Sequence, residues 1–146
     1  MTHVNLSKQH PTAYQAVVAL NKEADEAIVR AGLDPKLGEL VKIRVSQLNG
    51  CAFCLRMHTR DAVARGETVD RLAVVAAWWE SQYFTDQEQA ALALAEEVTE
   101  LPVPEPRQWD NDSLTEEQIS AISWLAIVMN AWNRIAVRSH YPVAPA

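Results

Sequence analysis

Helix punctuation recurs along this 146-residue chain, and strand punctuation is almost absent. Thr85 with Glu88, and Thr115 with Gln118, each fit a capping box, in which side chain and backbone at a helix start satisfy each other's donors. Pro11 and Asp34-Pro35 supply two more starts, because proline in a first turn gives up only an N–H that has no helical partner. Gly32, Asn49-Gly50 and Gly66 supply stops.

Apolar residues recur at helical spacing between these marks. Val17, Leu20, Ala24, Ala27 and Ile28 follow Pro11; Leu37, Leu40, Val41, Ile43 and Leu48 follow Pro35. A third helix is expected from at or near Cys51 to Gly66, and Thr68 caps a fourth carrying Leu72, Val75, Ala76 and Trp79. A fifth follows Thr85 through Ala90 to Val98, a stretch of strong helix formers. Pro102, Pro104 and Pro106 make 101–113 a surface connection. The sixth helix, roughly 116–138, is apolar on nearly all sides from Ile119 to Trp132, so it reads as the central core or a subunit contact. Tyr141 to Ala146 is a tail. With no repeat and no linker, the pattern predicts an all-α, single-domain fold of about six helices over 1–146.

With 49% apolar residues the chain can bury a sizeable core without help from a disulfide. A formal charge of −6, with Lys and Arg spread along the chain, argues against nucleic acid or an anionic lipid surface as partner. The most apolar stretch, Ile119 to Trp132, is interrupted by Ser120, Ser123 and Asn130 and is too short to span a bilayer. No basic start with an apolar run occurs at Met1–Gln9, so a cytoplasmic protein is expected. In a reducing compartment, paired cysteines point to catalysis or metal binding before a structural bridge.

The two cysteines are Cys51 and Cys54, a C-x-x-C pair followed by His58. At about 100° per residue these three side chains share one helical face. A thiol near a helix N-terminus is biased toward the thiolate, the form that attacks, and His58, one turn beyond Cys54, can accept its proton. Glu39, at the edge of the apolar stripe of the preceding helix, comes against that face if the chain turns back at Gly50, where its carboxylate can orient the imidazole. These residues also suit zinc, although structural zinc sites usually take ligands from two chain regions, and here three lie on one helical face.

Glu39, Cys51, Cys54 and His58, spaced E-x11-C-x2-C-x3-H within a segment that includes RVSQLNGCAFCLRMHTRDA, resemble the core motif of the alkylhydroperoxidase AhpD-like members of the carboxymuconolactone decarboxylase superfamily. The likeness is close over 37–66 and looser through Trp78, Glu80, Phe84-Thr85, 90–99 and 130–141. It implies an all-helical fold assembling through helices as a homotrimer or homohexamer. It further implies a peroxidase with peroxiredoxin-like antioxidant activity, in which Cys54 attacks the hydroperoxide and Cys51 resolves the sulfenic acid as a disulfide. Glu39 and His58 form the proton relay, no cofactor is required, and an external dithiol or protein reductant restores the thiols. The alkylhydroperoxide-reducing members carry histidine immediately before the second cysteine, where this chain has Phe53. Either His58 and Glu39 suffice, through a water, or the substrate differs. The superfamily's lactone decarboxylases lack the C-x-x-C pair, which argues against decarboxylation. The alternative is a non-catalytic oligomeric thiol module that binds a metal or senses oxidation.

Other polar and aromatic residues have plainer readings. His140 reads as a helix cap in preference to a group bordering the site. Ser46 is expected to bond its own helix backbone. Asn130, Asn133 and Arg134 are expected in an interface network, and Trp78, Trp79, Trp124 and Trp132 in core or interface, with one of them free to wall a pocket.

Overall fold

The computed structural model describes residues 2–146, and the regular structure among them is entirely helical. Seven α-helices follow in order: α1 (Leu6–Gln9), α2 (Pro11–Arg30), α3 (Pro35–Asn49), α4 (Ala52–Ala64), α5 (Val69–Val74), α6 (Asp86–Thr99) and α7 (Glu116–Ser139). Short 3-10 segments cover Val75–Glu80 and Asn111–Ser113. Both expected capping boxes form, Thr85 with Glu88 at α6 and Thr115 with Gln118 at α7. Asp34 caps α3 by accepting from the Lys36 N–H.

Two local features depart from the sequence reading. The short α1, capped by Asn5, was not expected, because four residues are too few to show a period. The fourth helix ends at Val74 and passes into 3-10 geometry, with Ala77 at φ −133° and ψ 38° breaking the helical path. That bend lets Trp78 bury against α6 while Trp79 stays at the surface.

The centre is α3, not α7. Every residue from Leu37 to Ser46 is buried, so this helix is enclosed on all sides. Val41 and Val45 pack in a core with Leu125, Val128 and Met129 of α7 and Ile28 of α2, while Leu40 and Ile43 pack with Trp78, Leu92 and Ala62. Helix α7 buries one face and leaves Trp124 and Ile127 exposed on the other. No helix among the described residues is long and apolar enough to cross a membrane.

Enclosure brings charge into the interior. Glu39, Lys42 and Arg44 of α3 are all buried, and each is partnered. Arg44 Nε donates to Glu96 Oε1 of α6 at 2.9 Å, and the same oxygen accepts from the Trp78 indole N–H at 2.9 Å. Glu39 and Lys42 face the other way, toward α2 and α4.

Candidate active site

Gly50 makes the turn that builds the site. It ends α3 in the left-handed region, at φ 64° and ψ 37°, a conformation that costs other residues strain. The chain then reverses, and α4 packs back along α3. Cys51 is the N-cap of α4, one residue before its first turn, and its Sγ accepts from the Cys54 backbone N–H at 3.3 Å. The two cysteines are joined as a disulfide, with Cα atoms 5.3 Å apart. Both are buried, but of the two only Cys54 borders the adjoining cleft.

That cleft holds about 460 Å³ and is bounded by α2, α3, α4, α7 and the first residue of the tail. One wall is aromatic: Trp132 packs edge-on against Tyr14, and Phe53 edge-on against Tyr141. The other wall is ionic. Glu39 Oε2 lies 3.2 Å from His58 Nδ1, and Glu39 Oε1 lies 3.4 Å from Lys42 Nζ and 3.5 Å from Arg65 Nε. Asp25 Oδ1 takes Lys42 Nζ at 2.8 Å, and Asp61 Oδ2 stands 3.6 Å from His58 Nδ1.

Glu39 is 3% exposed, and burial by itself pushes its carboxyl up; the hydrogen bond with His58 and the Lys42 charge outweigh that and hold it below its ordinary value. It is therefore an anion at neutral pH, and an ionised carboxylate only accepts hydrogen bonds. The hydrogen between Glu39 and His58 accordingly sits on Nδ1. The structure thus gathers Glu39, Cys54 and His58 at one cleft, with Cys51 bonded behind.

Glu39, His58 and Asp61 also place one ligand atom each within 4.8 Å of one another, a set that could hold a cation. Two cationic side chains already flank Glu39 there, so a metal would enter against Lys42 and Arg65.

The profile of the carboxymuconolactone decarboxylase family matches residues 11–97, more than half of the chain. The chain belongs to the carboxymuconolactone decarboxylase family. This family member is 43% identical to YdfG of Bacillus subtilis (strain 168) over 103 residues, 68% of this chain and 70% of YdfG. It is 36% identical to YnjA of Escherichia coli (strain K12) over 73 residues, 50% of this chain and 40% of YnjA. Both are described as uncharacterized proteins. Its fold matches a crystal structure from Agrobacterium tumefaciens with a TM-score of 0.79 and 33% identity, covering 99% of this chain and 100% of that one. That protein is described as of unknown function, with a suggested place in antioxidant defence as AhpD. The all-helical, AhpD-like fold expected from the motif is the one observed.

His140 is the left-handed C-cap of α7, at φ 53°, and borders a separate cavity of about 680 Å³. Ser46 donates to the Lys42 carbonyl at 2.7 Å. Asn130 and Asn133 each accept from Asn49 at 2.9 Å, tying α7 to the end of α3, while Arg134 is exposed and donates to Asn130. Trp132 is the tryptophan that walls the cleft. Sequence reasoning missed Asp25, Lys42, Asp61 and Arg65. For Lys42 a signal existed: a charge three residues after Glu39, on the same face of an otherwise apolar helix.

Proposed function

We propose that this protein is a thiol peroxidase of the AhpD-like kind, reducing hydroperoxides through Cys51 and Cys54 with Glu39 and His58 as proton relay. The observation that carries the reading is the shared cleft: Cys54 and His58 border it together, and Glu39 holds His58 Nδ1 at 3.2 Å. His58 Nε2 takes the Cys54 proton, and the thiolate attacks the distal oxygen of ROOH. An S–O bond forms, the O–O bond breaks, and the departing alkoxide takes the proton back from His58, giving ROH and Cys54 sulfenic acid. The Cys51 thiol then displaces water from that sulfenic acid and closes the disulfide. An external dithiol supplies the two electrons and two protons that reopen it. Phe53 stands where the peroxide-reducing relatives have histidine, so His58 alone carries the proton between sulfur and oxygen.

The test is thiol titration of the reduced, metal-free protein before and after one equivalent of cumene hydroperoxide. Loss of both thiols, with one equivalent of alcohol formed, is the expected result. Cys54→Ser abolishes consumption, whereas Cys51→Ser gives a sulfenate trappable by dimedone and no turnover. Equal consumption in the parent and both variants overturns the reading. The Glu39, His58 and Asp61 cluster carries the second reading, a metal-binding thiol module, and stoichiometric metal retained through chelation would favour it.

A further inference from the structure

Lys42 lies outside the cysteine motif, yet it stands in the cleft with its side chain 9% exposed and its ammonium between two carboxylates. Asp25 of α2 is 2.8 Å away and Glu39, one turn back on α3, is 3.4 Å away. A buried ammonium needs one counter-ion, and Asp25 already serves. The second carboxylate therefore asks for a reason. Glu39 divides its oxygens: Oε1 faces Lys42 and Arg65, and Oε2 faces His58.

We infer that Lys42, anchored by Asp25, is a positioning residue that keeps Glu39 an acceptor and thereby locks His58 in the tautomer with hydrogen on Nδ1 and the free lone pair on Nε2. Its catalytic meaning rests on the peroxidase reading; the tautomer does not. Without the ammonium, Asp25 and Glu39 are like charges facing a common gap, with Asp61 of α4 a third nearby, and such a group sheds charge by taking up a proton. Arg65, with its side chain 49% exposed, is a solvent-screened substitute. A protonated Glu39 donates where the ionised one accepts. Nδ1 then becomes the acceptor, hydrogen moves to Nε2, and the ring loses the base that would take the Cys54 proton.

Ring-nitrogen shifts of 15N-labelled, reduced protein, with His58 assigned by His58→Gln, report the tautomer at a pH above the ring's titration. The expected pattern is Nδ1–H in the parent, its loss in Lys42→Met, its return in Lys42→Arg, and a partial loss in Asp25→Asn, which leaves the ammonium in place but unanchored. Sulfenate formation on Cys54 falls about ten- to a hundredfold in Lys42→Met, the usual effect of removing a partner one step behind a working imidazole. An unchanged tautomer in folded Lys42→Met overturns the inference; if that variant does not fold, an unchanged tautomer in Asp25→Asn does so. A tautomer that shifts as stated, in a protein that consumes no hydroperoxide, removes the peroxidase reading and supports the positioning role.

Discussion

Glu39→Gln keeps the shape of the side chain and deletes its charge, which isolates the electrostatic contribution of a carboxylate that is 3% exposed and has three nitrogens within 3.5 Å. At an effective dielectric of about 20, unit charges 3.4 Å apart attract by about 5 kcal/mol. The desolvation that pushes the carboxyl up offsets much of this. Removing one partner of a buried pair costs about 3–5 kcal/mol, and the lower end applies because Asp25 still neutralises Lys42 at 2.8 Å. We expect a loss of about 3 kcal/mol at pH 7. The sign with pH is fixed by the depressed carboxyl. Its stabilisation is fully present above the unfolded glutamate value and is lost as pH falls through the lower folded value. Urea unfolding of both chains at neutral pH, and at the lowest pH where both stay folded, measures this directly. The gap between parent and variant should narrow on acidification. A gap that is the same at both pH values, or a variant more stable than the parent at pH 7, refutes the reasoning.

Three further outcomes are expected. Reducing the disulfide opens a ring only four residues long, for which the chain-entropy estimate is about 2 kcal/mol, so the urea midpoint should fall modestly with dithiothreitol; a loss above about 4 kcal/mol would mark a structural brace instead. Gly50→Ala meets no atom within 4 Å, so its cost is the left-handed backbone alone, about 1–2 kcal/mol by denaturant unfolding, and a neutral result would contradict the turn. Asn133→Ala strips partners from Asn49 and Ser46 at a position 1% exposed, and should cost about 1–3 kcal/mol in the same assay.

Most of the helices could be read from their ends. Proline at N1, the two capping boxes and Asn49-Gly50 act within a few residues, so α2, α3, α4, α6 and α7 start and stop close to where local chemistry places them. The central helix was harder to identify, because α3 carries Glu39, Lys42 and Arg44 and looks amphipathic until their partners on α2, α4 and α6 are in place. In α7 the long apolar run suggested the centre or a subunit contact, and the helix buries one face in the core while Trp124 and Ile127 lie exposed on its outer face. Within the site, the sulfurs, imidazole and carboxylate were legible as a spacing. Asp25, Arg65 and the tyrosines of the aromatic wall, Tyr14 and Tyr141, were not, since they converge from segments far apart in sequence and no local period connects them.

The one-sided placement of the disulfide gives thiol exchange a direction. An arriving thiolate meets Cys54, the sulfur at the cleft, and the bond parts toward Cys51, whose outgoing charge is received where the Cys54 amide already points at Sγ from 3.3 Å. In the proposed cycle a reductant that attacks from the cleft would therefore be held for a moment on Cys54, not on Cys51. In a Cys51→Ser chain the Cys54 sulfenate left by a hydroperoxide should condense with a reductant thiol and release water, and with the reductant's own second thiol replaced by serine nothing frees the mixed disulfide, a hook with which the reductant can be identified.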